Sequence, residues 1–129
     1  MAVWKGVIMK TRVLHSTIFE NETIAASGVA TSGEIVVNPA EGFFNLYIEM
    51  TGSGTCKFGA SILLGDGEFL VPVDQTDIVT GHTSSSGANS DGKDYYSFQV
   101  ALADSVKIVA TETGGVDGVV LEKVIIGWQ

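Results

Sequence analysis

Three features of this sequence predict an all-β domain, an antiparallel β-sandwich or jelly roll of about eight strands. Apolar and polar residues alternate at period two over most of the chain, the spacing that sends successive side chains to opposite faces of a strand. Short links bearing Gly, Asp and Ser separate the alternating segments, as hairpin turns require. Helical spacing is scarce throughout. With 129 residues the chain is expected to form a single domain, 1–129, large enough to bury a core without a disulfide framework.

Taken in order, the first candidate strands are the weakest: 7–14, 18–26 and 33–37 hold enough β-branched and apolar residues to qualify. Pro39 then sits in a connection. The next segment is regular, with Phe44, Leu46, Ile48 and Met50 on one face and Asn45, Tyr47, Glu49 and Thr51 on the other. Gly52-Ser53-Gly54 turns the chain into a strand where Cys56, Phe58, Ala60, Ile62 and Leu64 alternate with Lys57, Gly59, Ser61 and Leu63. Gly65-Asp66-Gly67 leads to a short segment, 68–73, whose Pro72 marks an edge or terminal position because proline cannot donate to a ladder. Further on, Tyr96, Phe98, Val100 and Leu102 oppose Tyr95, Ser97, Gln99 and Ala101. Ala103-Asp104 links these to Val106, Ile108 and Ala110, set against Lys107, Val109 and Thr111. Gly114-Gly115-Val116-Asp117-Gly118 precedes the closing strand, 119–128.

One stretch interrupts the rhythm. Residues 74–94 are polar and rich in Ser and Gly, and longer than the ~12–15 residues beyond which an irregular loop is uncommon. Two readings stand beside each other: a contact arm that orders on a neighbour, or a tolerated surface excursion.

The chain carries 15 acidic residues against 7 Lys and Arg, a formal charge of −8. That balance disfavours phosphate backbones and anionic lipid surfaces, so neither nucleic acid nor membrane is an expected partner. Charged residues make up 17% of the chain, where about 25% is usual, and 45% are hydrophobic. A surface so poor in charge is expected to be partly covered by partners. Lys10 and Arg12 cut short any apolar run at the amino terminus, so synthesis in a reducing cytoplasm without a signal peptide is expected. Cys56, set in an apolar alternation, is expected to be a buried free thiol.

Catalytic constellations are missing. His15 and His82 are distant in sequence and have no Cys or carboxylate at ligand spacing. In a twelve-residue calcium loop with Gly92 at the glycine position, the first and last ligands would be Gly87 and Phe98, which cannot serve. An irregular cation site at Asp91 and Asp94 stands against the plainer reading of a turn. No Gly-x-Ser-x-Gly elbow occurs, and the glycine clusters are not followed by a phosphate-loop lysine. No catalytic residue, cofactor or metal site is therefore assigned, and the protein is expected not to be an enzyme. Among the aromatics, Phe44, Phe58, Tyr96 and Phe98 fall on core faces, while Trp4, Phe43, Tyr47, Tyr95 and Trp128 fall at strand ends or on outward faces.

The stretch Ile24-Ala25-Ala26-Ser27-Gly28-Val29-Ala30-Thr31-Ser32-Gly33-Glu34-Ile35-Val36-Val37, followed by Phe43-Phe44-Asn45-Leu46-Tyr47-Ile48-Glu49-Met50-Thr51-Gly52-Ser53-Gly54-Thr55, resembles a pattern of small tailed-phage and prophage structural proteins. There a Ser/Ala/Thr-rich strand pair leads into a strand ending in Thr-Gly-x-Gly-Thr, then a strand and a turn close to Leu-Asp-Gly. Here Leu64-Gly65-Asp66-Gly67 departs from that turn by the inserted Gly65. The resemblance implies a virion component of β-sandwich form, a head decoration (cement) protein or a tail or fibre part. Its partners would be itself, as a homo-oligomer and specifically a trimer, and the major capsid or other virion proteins. No binding residue carries over from the pattern. From the outward and edge positions, Trp4, Tyr47, Leu63, Tyr95, Val109 and Trp128 are the expected subunit interface. The alternative is a carbohydrate-binding module for host recognition that stacks sugars on Tyr95, Tyr47 or Trp128.

Overall fold

The computed structural model describes residues 13–37, 42–75, 77–100 and 103–129, which contain no helix. Nine strands run through them: β1 (Leu14–Ile24), β2 (Val29–Thr31), β3 (Ile35–Val36), β4 (Phe44–Gly52), β5 (Cys56–Leu63), β6 (Val79–His82), β7 (Lys93–Phe98), β8 (Ser105–Glu112) and β9 (Val119–Trp128). One sheet has the order β1-β9-β4-β7, the other β2-β8-β5-β6 with β3 also on β8. All the pairings are antiparallel.

β2 and β3 lie along one edge of β8, Thr31 opposite Val109 and Ile35 opposite Val106, and so behave as one broken strand. Ser32 bridges the break: its N–H donates to the Ile108 carbonyl at 2.9 Å, and its hydroxyl accepts the Ile108 N–H at 2.9 Å. With β2 and β3 counted together, the first strand pairs with the last, the second with the second-last, and so on inward to β5 with β6. A long hairpin rolled over itself in this way is a jelly roll.

The alternation places the core. Phe44, Leu46, Ile48 and Met50 of β4, Cys56, Phe58 and Ala60 of β5, and Val106, Ile108 and Ala110 of β8 all point inward and are buried. Each large side chain so buried contributes roughly 1.5–3 kcal/mol. β9 changes phase midway, because Glu122 is an extra residue opposite the Glu49–Met50 step of β4. Beyond this bulge Val124 and Ile126 face inward, whereas Ile125 and Gly127 face out.

Several expectations change. The strand expected at 7–14 lies almost wholly outside the described residues, as do Pro39, Ala101 and Leu102; β1 itself begins at Leu14. Leu64, expected to face inward, is exposed beyond the end of β5. There the chain turns at Gly65, whose φ is +58°, and returns so that Leu70 and Ile62 exchange backbone hydrogen bonds of 3.1 and 2.9 Å. That bridge is the only ladder contact found for the segment 68–73 among the described residues. Residues 74–94 are not one irregular excursion: they contain β6 and the start of β7. β6 escaped the alternation because only His82 of its four residues is buried.

Candidate functional site

Loops gather at the two ends of the sandwich, and one end is organised by a carboxylate. Glu112 occupies the next inward position of β8 after Ala110 and is only 2% exposed. Its Oε1 accepts the backbone N–H groups of Ser27 (2.8 Å) and Gly115 (2.8 Å), and its Oε2 those of Thr55 (3.0 Å) and Gly114 (2.7 Å). Three loops, after β1, β4 and β8, are thus tied to one side chain. These donors hold the Glu112 carboxyl down at about 2, well below its ordinary 4.5. Ser27 sits at φ +59°, a left-handed conformation that its bonded N–H helps to hold.

The loop after β6 at this end is tied by His82, which is fully buried. Its Nε2 lies 2.9 Å from the Gly92 carbonyl, which can only accept, so Nε2 carries the proton and donates. Nδ1 is then left to accept the Tyr96 hydroxyl at 2.8 Å. The Gly92 carbonyl also accepts the Met50 N–H at 3.1 Å, fastening the loop to β4. Burial lowers the His82 pKa, against smaller opposing effects of the Gly92 carbonyl and Asp94. Asp91 and Asp94 each accept a nearby backbone N–H, from Lys93 (3.2 Å) and Tyr95 (2.8 Å). Among the described residues no three His, Cys, Asp or Glu side chains gather to hold a metal ion.

The outer face of the β1-β9-β4-β7 sheet is arranged in rows across the strands. His15, Gly127, Asn45 and Ser97 form one row, and Thr17, Ile125, Tyr47 and Tyr95 the next. A third, Glu20, Lys123, Glu49 and Lys93, alternates in charge. Tyr47 and Tyr95 have ring centroids 4.9 Å apart at 44°. The Tyr47 hydroxyl donates to Glu49 Oε2 at 2.9 Å, and burial together with that carboxylate pushes its pKa up to about 12. Beside this pair, a cleft of about 380 Å³ is lined by His15, Asn45, Tyr47, Tyr95, Ile125, Gly127 and Val13. It shares Val13, Asn45 and Gly127 with a second basin of about 490 Å³ reaching Phe43, Gln99 and Trp128.

The residues expected at a subunit interface do not form one surface. Tyr47 and Tyr95 meet on the outer face of the four-stranded sheet, and Trp128 lies at the far end of the groove, half-buried against the core. Leu63 and Val109 are half-buried on the second sheet, on the opposite side of the sandwich. Trp4 lies outside the described residues. Sequence reasoning missed Glu112, although it extends the inward series Val106, Ile108, Ala110 by one step. It also missed the burial of His82, for which the polar surroundings gave no signal. Cys56 is buried as expected, and burial, with the nearby Glu112 charge, pushes its thiol up to about 11.

No family model matches this chain, and no curated protein matches it. The jelly-roll connectivity does have counterparts among solved structures. The SPBc2 prophage-derived protein YomS superposes with a TM-score of 0.51 at 19% identity, covering 96% of this chain and 98% of that one. A chain of the T13 IBDV viral particle gives a TM-score of 0.50 at 11% identity, covering 91% of this chain and 30% of that one. This chain therefore corresponds to less than a third of the viral chain's length, and at these identities what is shared is the fold. It is a β fold found in a prophage-derived protein and in a viral particle. Among the described residues, no helix is long and apolar enough to cross a membrane.

Proposed function

We propose that this protein is a non-enzymatic structural component of a tailed-phage particle, a capsid decoration protein that binds the assembled head as a homotrimer. The observation that carries the reading is the fold shared with YomS along almost the whole of both chains. The distribution of apolar surface supports it. Of the exposed large apolar side chains, Val36, Phe43, Leu64, Leu70, Val71 and Val73 belong to the end of the sandwich opposite Glu112, against Val29 and Val116 at the Glu112 end. Apolar side chains concentrated in this way are what a subunit or lattice contact covers. Leu63 lies beside them, while the charge of −8 keeps free copies apart before assembly.

Size-exclusion chromatography with light scattering, and co-sedimentation with heads, test the proposal. A trimer that pellets with heads is expected; a monomer that stays in the supernatant and is absent from purified virions overturns it. A mass-spectrometric copy number that scales with the major capsid protein separates decoration from a tail or fibre part, which would be present in few copies.

A further inference from the structure

We infer that the groove on the outer face of the four-stranded sheet is a binding site for an uncharged oligosaccharide. The inference stands apart from the particle reading, since a domain bound to a head can still offer this face to a glycan.

Gly127 forms the floor between His15 and Asn45. Its backbone is not in the left-handed region, and a Cβ placed there would first meet the Leu14 carbonyl oxygen at 3.5 Å, an ordinary contact. Neither conformation nor packing demands glycine. What the missing side chain does is leave the groove open. At one side stands Tyr95, 68% exposed, against Tyr47, whose ring is pinned through its hydroxyl to Glu49. A pyranose ring has an apolar C–H face that stacks on such a ring, and hydroxyls around its edge that need neutral hydrogen-bonding partners. Asn45, Ser97 and Gln99 supply those partners along the groove.

The charge pattern selects among ligands. Among the described residues, neither basin is lined by an Asp, Glu, Lys or Arg side chain, although the chain carries −8 and a row of alternating charge crosses the same face. Among the described residues of the lining, a phosphorylated or sialylated ligand would meet no Lys or Arg, and a metal ion no carboxylate. A purely aliphatic ligand would bury the amides without partners, which costs free energy. An uncharged polyol with apolar faces satisfies every part of the lining. The two connected basins, about 380 and 490 Å³, fall in the range of small-molecule sites and extend past a single sugar ring.

The test is an array of uncharged di- to tetrasaccharides of gluco, galacto and manno configuration beside sialylated and uronic-acid glycans, with calorimetry on the strongest uncharged hit. Binding to uncharged glycans is expected, weakened about tenfold in Tyr95→Ala and lost in Gly127→Val, which fills the floor. Gly127→Val is expected to melt no lower than the parent, so its loss of binding cannot be put down to misfolding. Three results would each overturn the inference: no uncharged glycan bound at millimolar concentration, charged glycans bound alone, or Gly127→Val binding as well as the parent. Co-sedimentation with heads reads the particle proposal separately. A chain that pellets with heads and binds no glycan refutes this inference alone, and one that binds glycan but never heads refutes only the other.

Discussion

The two ends of the sandwich are held together differently. At one end, backbone N–H groups from three loops converge on the Glu112 carboxylate, and the remaining loop is held through His82 and the Gly92 carbonyl. At the other end the side chains are apolar and exposed, Phe43 at 60% and Leu70 at 64% among them. The groove opens from this second end onto the four-stranded sheet. Both ends sit on the same strands and the same core, and both satisfy backbone groups internally: at the second end the Gly65 N–H donates to Asp104 Oδ2 at 2.8 Å and the Asp104 N–H to the Leu63 carbonyl at 2.9 Å. The difference lies in the acceptor, since at the first end one buried side chain gathers three loops.

The largest effect is expected at the carboxylate. Glu112→Ala removes the acceptor of four backbone N–H groups in three loops, and with it the side chain that ties those loops together. Thermal unfolding followed by circular dichroism should show the midpoint falling by about 15 °C or more. Glu112→Gln should fall less far, since one oxygen can still accept while the new amide faces donors. An unchanged midpoint would mean that the loops find other partners and that the contrast between the ends is unimportant for stability. Gly54→Ala probes the same knot by sterics. A Cβ there would lie 2.5 Å from the Asp117 carbonyl oxygen and 3.0 Å from Glu112 Oε2, so a loss of about 2 kcal/mol is expected in chemical denaturation.

Acidification should undo the tied end in two stages. His82 has a lowered pKa in the fold, so the unfolded chain binds its proton first, and stability falls as pH drops below the ordinary 6.5. The Glu112 carboxyl is depressed to about 2 from 4.5. Its contribution is full above 4.5 and is lost as pH falls toward 2. Both groups make the fold weaker in acid, His82 starting from the higher pH. In urea midpoints measured from pH 7 to 2, His82→Phe should flatten the upper limb and Glu112→Gln the lower. Identical profiles for parent and variants would show that neither group governs the acid response.

How far the sequence reached depends on whether a partner is near or far along the chain. Period two was enough for the inner faces of β4, β5 and β8, because each strand carries its own alternation. The alternation of β8 does put residue 112 inward, but the donors at Ser27 and Thr55 that let a carboxylate sit there stand 85 and 57 residues away. Tyr47 and Tyr95 were correctly placed on outward faces, but their adjacency needs the β4–β7 register. Trp128 shows a third limit: the bulge at Glu122 shifts the phase of β9, turning Ile125 and Gly127 outward and Trp128 toward the core rim. A bulge is one residue of extra length, and alternation read along a single strand has no partner against which to count it.

Cys56 offers a probe that reports on one end and not the other. It pairs across the second sheet with both Glu112 and His82, and its buried thiol, with a pKa of about 11, should react slowly with a disulfide reagent at pH 8. Glu112→Gln should raise the labelling rate at least about tenfold, because the loops covering the start of β5 open more often and the charge that holds the thiol pKa up is gone. Gly127→Val should leave the rate unchanged. A rate raised equally by both would show that the sandwich opens as one unit, removing the distinction between its ends.

The smallest effect sharpens the comparison most, because it sets one glycine against another. Gly54 is required by close packing, whereas Gly127 has room for a side chain and an ordinary backbone conformation. Glycine inside a strand costs about 0.5–1 kcal/mol relative to alanine, so Gly127→Ala should stabilise the protein by about 0.5 kcal/mol and Gly127→Val by a little more. Denaturant titration resolves such a gain when the slope is unchanged. If Gly127→Ala instead destabilises the fold, the glycine serves packing and the open floor of the groove is incidental. If it stabilises, the parent carries a residue that weakens its own sheet, at a position where a side chain would close the groove.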